Sequence, residues 1–153
     1  MNVLELKVPP AIVVVLIGII MWLAADLVPE LALIIPGRNI IAAVIGLVGV
    51  TLILTGAVAF RVAGTTVNPM QPDKTSSIVT RGVYKISRNP MYAGFLLILL
   101  AWALLLSNIF SFIMLLAFVW YMNRFQIMPE ERALLAKFGQ EYIAYMKGTR
   151  RWF

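Results

Sequence analysis

The chain of 153 residues has no cysteine and no histidine. Without cysteine there is no disulfide scaffold, no thiolate metal site and no thiol nucleophile. Without histidine the commonest general base and metal ligand is missing, so Ser-His-Asp catalysis, HExxH zinc chemistry and His-ligated haem are excluded. No metal site is expected. Charge is also scarce: 13% of residues are charged, where a soluble domain has roughly a quarter. Internal repeats and low-complexity segments are absent, and no Gly/Ser-rich linker divides the chain.

What fills the sequence instead is apolar: 61% of residues are hydrophobic and the mean hydropathy is +0.90. One small core cannot hide that excess, which places the chain in a bilayer as a single membrane domain over residues 1–153. Apolar runs cover about 11–28, 40–60, 91–106 and 109–127. The expected fold is all-α, a transmembrane bundle of four spans with a C-terminal interfacial amphipathic helix starting at Pro129. Pro9-Pro10 suits a helix start, and the first run is read as a span rather than a removable leader. Ser107-Asn108 makes the third and fourth runs a tight hairpin. Ala42, Gly46, Gly49 and Gly56 in the second run suit close helix packing, and Gly139 is expected to interrupt the C-terminal helix.

The formal net charge of +6 comes from basic residues that flank apolar runs. This pattern fits membrane orientation and anionic lipid headgroups, not nucleic acid. Arg38 alone stands between the first two runs. Arg61, Lys74, Arg81, Lys85 and Arg88 lie between the second and third, and Arg124, Arg132, Lys137, Lys147, Arg150 and Arg151 close the chain. Basic residues stay on the cytoplasmic side, so both termini and the long middle loop are expected there. A prokaryotic cytoplasmic membrane suits the small size.

Two polar islands then share the cytoplasmic end, about 64–92 and 128–151. Singly, their residues have plain roles: Arg81, Lys85 and Arg88 as anchors, Tyr84 and Tyr92 as interface aromatics, Glu130 and Glu131 as partners of a helix dipole. Together they offer more. Asn89-Pro90 begins a helix whose free N–H groups can receive a carboxylate. Tyr84 and Tyr92 present faces to a flat base or a cation. A carboxylate on the second island can pair with an amine or bond sugar hydroxyls. S-adenosylmethionine carries that whole inventory, and methyl transfer from a sulfonium needs mainly alignment and desolvation.

The stretch Val79-Thr80-Arg81-Gly82-Val83-Tyr84, followed by Arg88-Asn89-Pro90-Met91-Tyr92-Ala93-Gly94, resembles the core of the isoprenylcysteine carboxyl methyltransferases and the related phospholipid methyltransferases. So does Glu130-Glu131 with Leu134-Leu135, Phe138-Gly139, Glu141-Tyr142 and Tyr145. The resemblance runs from about Gly64 to Arg151. It implies an integral-membrane enzyme that holds S-adenosylmethionine along Ser76, Ser77, Ile78, Val79, Tyr84, Asn89, Pro90, Met91, Tyr92, Glu130 and Glu131. Glu130, Arg88 and Gln126 are the candidate catalytic residues, with Arg88 and Gln126 facing the acceptor or steadying the pocket. The family's usual histidine before the proline is Asn89 here, and the arginine of the eukaryotic prenylcysteine enzymes is Gln126. The implied reaction is methylation of a lipophilic acceptor, first a prenylcysteine-like carboxylate, then a phosphatidylethanolamine amine or a thiol. A non-catalytic membrane protein keeping the fold is the reading from another class. Oligomeric state is left open.

Overall fold

A computed structural model describes residues 5–65, 68, 70 and 75–153. It is all-helical among those residues, with the element order α1 (Pro10–Leu27), α2 (Arg38–Val62), α3 (Pro90–Leu106), α4 (Ile109–Tyr121), α5 (Met128–Phe138) and α6 (Gln140–Gly148). Part of the long middle loop, within the polar island expected over about 64–92, lies outside the described residues. Pro10–Leu27, Arg38–Val62 and Ile109–Phe138 are long and apolar enough to cross a membrane, and Pro90–Leu106 is a shorter apolar helix.

Local chemistry sets the helix ends. Pro10 occupies the first turn of α1 and Pro90 that of α3, where a missing N–H costs nothing. Ser107 closes α3 in the left-handed region, and Asn108 caps α4 by accepting the Phe110 N–H. Asn108 also donates through Nδ2 to the Val28 carbonyl at 3.0 Å. The Leu33 N–H donates to the Ser107 carbonyl at 2.6 Å. The hairpin turn and the α1–α2 connection are thus tied at one end of the bundle.

Packing is uneven. Met21, Leu99, Phe118, Met122 and Ile127 are buried between α1, α3 and the long helix Ile109–Phe138. By contrast α2 leans mainly on α3, and its buried residues are Ala42, Gly49 and Gly56. A Cβ on Gly94 would lie 2.6 Å from the Gly49 carbonyl oxygen and 2.7 Å from Ile53. A Cβ on Gly49 would lie 2.8 Å from the Gly94 oxygen. This backbone-on-backbone seam is the close approach that small residues permit in membranes. Gly46 is different: its added Cβ would meet Ala101 at an ordinary 3.6 Å. Many other large apolar side chains of α1 and α2, such as Leu16, Trp22, Leu47 and Leu54, are exposed, as lipid-facing side chains are.

The C-terminal part departs from expectation. The fourth run does not stop near Ile127 to let a separate helix begin at Pro129. The helix runs on through Pro129 to Phe138, with a π-helical segment over Met122–Ile127 in which the Met128 N–H bonds the Asn123 carbonyl. Proline explains the widening, because its ring crowds the carbonyl four residues back and it has no N–H to offer that carbonyl. Helix α5 therefore has no free N-terminus, and Glu130 and Glu131 are not dipole partners. The interruption comes at Gly139, at φ 51° and ψ −121°, a conformation that is essentially glycine's alone.

Gly94→Ala should overpack the seam and cost about 1–3 kcal/mol, read as a lower melting temperature in detergent. Gly46→Ala should leave it unchanged. Equal effects at both positions would show that the seam does not decide α2–α3 packing.

Candidate functional site

The polar islands meet at one end of the bundle around a cavity of about 330 Å³, within the usual range for small-ligand pockets of about 300–1,000 Å³. One wall is the segment Ser77–Val79 with Tyr84, Asn89, Met91 and Tyr92. The facing wall is Glu130, Glu131, Leu134, Tyr142 and Tyr145. Phe60 of α2, Phe95 of α3 and Pro9–Ala11 before and within α1 complete it.

Each wall has an evident local cause. Tyr84 sits in a short 3₁₀ turn, Gly82–Lys85, and its ring meets Phe60 edge-on at 5.3 Å. The Tyr145 hydroxyl donates to the Tyr84 carbonyl at 2.7 Å, pinning α6 to the first island. Burial raises the Tyr84 and Tyr142 phenols well above their ordinary range. Burial likewise pushes Tyr145 up to about 12, with the positive charge of Arg88 opposing it. All three stay neutral phenols at physiological pH, so their faces remain ordinary aromatic surfaces.

The two adjacent glutamates have opposite surroundings. Glu131 is clamped by cations: Arg88 Nη2 at 3.0 Å and Arg151 Nη2 at 2.6 Å. Arg88 further donates through Nε to Glu131 and through Nη1 to the Met146 and Thr149 carbonyls. Among the described residues Glu130 is held by neutral donors only. Its Oε1 accepts from the Tyr92 hydroxyl at 2.5 Å and from Gln126 Nε2 at 2.6 Å. Among the described residues no hydrogen bond reaches its Oε2, and no cation pairs with it.

The chain beyond α6 turns back over the first island. The Arg88 N–H donates to the Arg150 carbonyl at 2.8 Å, beside a parallel bridge between Ser87 and Arg150. Asn89 does not cap α3; its Nδ2 donates to the Arg151 carbonyl at 2.9 Å. Trp152 Nε1 reaches Asn123 Oδ1 at 3.1 Å.

The sequence profile of the phospholipid methyltransferase family matches residues 38–141. The chain belongs to that family. Among similar proteins, this methyltransferase-family chain is 31% identical over 104 residues to protein-S-isoprenylcysteine O-methyltransferase B of Arabidopsis thaliana. That match takes in 63% of this chain and 53% of the relative. It is 33% identical over 94 residues to the protein-S-isoprenylcysteine O-methyltransferase of Saccharomyces cerevisiae, covering 60% of this chain and 39% of the relative. An uncharacterized protein of Haemophilus influenzae is 47% identical over 62 residues, 40% of this chain and 98% of that protein. The chain thus spans about half the length of the plant relative and less of the yeast one. No solved structure matches.

Set against the expected site of a family member, the geometry sorts the candidates. Ser77, Ile78, Val79, Tyr84, Arg88, Asn89, Met91, Tyr92, Glu130 and Glu131 all line the one cavity. Three do not. Ser76 is exposed and turned to Gly64 and Thr65. Pro90 is fully buried under the start of α3, and Gln126 is buried behind Glu130. The sequence reading missed Phe60, Phe95 and Pro9–Ala11 as lining residues, and missed the 149–152 strap. Tyr142 and Tyr145 were legible as part of the motif that carries the resemblance, but not as lining residues.

The Arg88–Glu131 pair is only 10% and 11% exposed. Glu131→Ala should strand a buried guanidinium and cost about 3–5 kcal/mol of stability. Arg151→Ala, at a 39% exposed side chain, should cost under about 1 kcal/mol. Thermal unfolding of the two variants checks the ranking, and a larger loss for Arg151→Ala would contradict it.

Proposed function

We propose that this member of the family is an integral-membrane methyltransferase that uses S-adenosylmethionine to methylate a lipophilic acceptor. Its islands and both termini would lie on the cytoplasmic face of a prokaryotic inner membrane. The observation that carries the reading is Glu130: a carboxylate lining a tyrosine-rich cavity, oriented by Tyr92 and Gln126, and lacking a cationic partner among the described residues. A ligand bearing an amine and a cationic centre would supply that partner.

The residues present suit S-adenosylmethionine. Glu130 would bond its amine or ribose hydroxyls, and Tyr84, Tyr92 and Tyr142 would offer faces to the purine and the sulfonium. Ser77–Val79, Asn89 and Met91 would line the remainder. Bound there, the cofactor supplies an electrophilic methyl group. The chain's own work is alignment and exclusion of water. Arg88, with its guanidinium given to Glu131, Met146 and Thr149, steadies the pocket rather than facing the acceptor. Glu131 is the counter-ion of that clamp.

The relatives named as O-methyltransferases favour a prenylcysteine-like carboxylate as acceptor. One observation favours a second reading, an amine such as that of phosphatidylethanolamine. Gln126 stands where the eukaryotic prenylcysteine enzymes carry an arginine, and its amide is turned to Glu130. Arg88 is the only cation lining the cavity among the described residues, and it is fully engaged. A negative acceptor group therefore finds little to receive it.

Calorimetric titration with S-adenosylmethionine should give micromolar binding, on the order of −8 kcal/mol. Glu130→Ala should abolish the heat and Tyr92→Ala weaken it. A folded chain that gives no heat, and no competition by S-adenosylhomocysteine, would favour a non-catalytic membrane protein.

A radiolabelled methyl-transfer assay against prenylcysteine analogues, phosphatidylethanolamine vesicles and lipophilic thiols should label one class. Label in phosphatidylethanolamine alone would replace the carboxylate reading with the amine one.

A further inference from the structure

The segment before α1 makes contacts that neither the bundle nor the proposed chemistry explains. Glu5 is buried, with 4% of its side chain exposed. Its two arginine partners lie 119 and 127 residues further along the chain. Its Oε1 meets Arg124 Nη1 at 2.8 Å and its Oε2 meets Arg132 Nη2 at 2.6 Å. The next residue, Leu6, takes a left-handed φ of 56°, uncommon for a branched side chain. Its N–H donates to the Phe125 carbonyl at 3.0 Å.

Phe125 is the carbonyl that an ordinary α-helix would bond to the N–H of residue 129. Residue 129 is proline, so that donor does not exist. Leu6 thus supplies an N–H where Pro129 lacks one. Glu5 meanwhile bridges an arginine inside the π segment and an arginine one turn past Pro129. The two contacts bracket the widened stretch from both sides. Within that stretch Gln126 is turned so that its Nε2 lies 2.6 Å from Glu130 Oε1, and Glu130 lines the cavity. A few residues after Leu6, Pro9, Pro10 and Ala11 line the same cavity.

We propose that Glu5 and Leu6 form a positioning latch, holding the long helix in the wide turn that sets Gln126 against Glu130 and Glu130 at the cavity. The inference deepens the cofactor reading above and rests on it for its binding readout. Neither latch residue touches the cavity. Their effect is carried by the backbone of 122–132, in the way outer contacts set the orientation of the groups that meet a ligand.

The test uses the full chain in detergent. Glu5→Gln should weaken S-adenosylmethionine binding about ten-fold, as small misplacements of binding groups do, and Glu5→Asp should recover most of that loss. In a Gln126→Ala background, Glu5→Gln should cost about two-fold or less, because coupled residues do not add. Ligand-free amide exchange gives a second measurement. Glu5→Gln should speed exchange across residues 122–132. Pro129→Ala restores an N–H opposite the Phe125 carbonyl and keeps every charge, so it should release Leu6 and speed exchange of its amide. It remains informative if Glu5→Gln does not fold. Additive losses in the Gln126→Ala background, or a lower melting temperature with affinity and exchange unchanged, would overturn the latch. If the unmodified chain gives no heat with S-adenosylmethionine, the cofactor reading falls and exchange alone decides the latch, unchanged exchange in both variants overturning it.

Discussion

Arg88 is the point at which three stretches of chain are fastened together. From the loop before α3 its guanidinium reaches Glu131 on α5, the Met146 carbonyl in α6 and the Thr149 carbonyl beyond it. No other kind of side chain could do this: the planar fork provides donors in several fixed directions, where a lysine would offer a single mobile point. The side chain is nearly dry, which makes each bond strong and each missing bond costly. With that knot in place, α6 must lie against the first island, and Tyr145 is brought to the Tyr84 carbonyl. The walls of the cavity follow from it.

Neighbouring glutamates divide two tasks because a helix sends adjacent residues in different directions. Glu131 points to the arginines and is neutralised by them. Glu130, about 100° further round, points to a phenol and an amide, groups that orient a carboxylate without cancelling its charge. The structure thus separates, within one dipeptide, a carboxylate paired with arginines from one oriented by neutral donors.

Much of this was open to reading from residue types. Apolar runs mark their own helices because spans in lipid must be long and uninterrupted. Basic residues at run ends placed both islands at one end, and the glycines at 49 and 56 announced close packing. What escaped the reading depended on partners remote in sequence. Pro129 looked like a helix start, since proline usually is one; that the helix would pass through it, widened, depends on Met122–Ile127 and on a donor from Leu6. Arg150, Arg151 and Trp152 looked like a basic tail, and nothing in their spacing pairs them with Ser87, Arg88 and Asn123. Phe60 and Phe95 looked like ordinary span residues, because periodicity does not say which apolar side chain faces a cavity and which faces lipid. Glu5 carried no pattern at all.

The strap over residues 149–152 has a consequence for how the molecule comes into being. A ribosome delivers those residues after the six helices α1 to α6. The Arg88 N–H, the Asn89 amide and the Asn123 side chain therefore cannot meet their partners until residues 149–152 have been made. The polar wall of the cavity is thus one of the last parts of this stretch of chain to be completed.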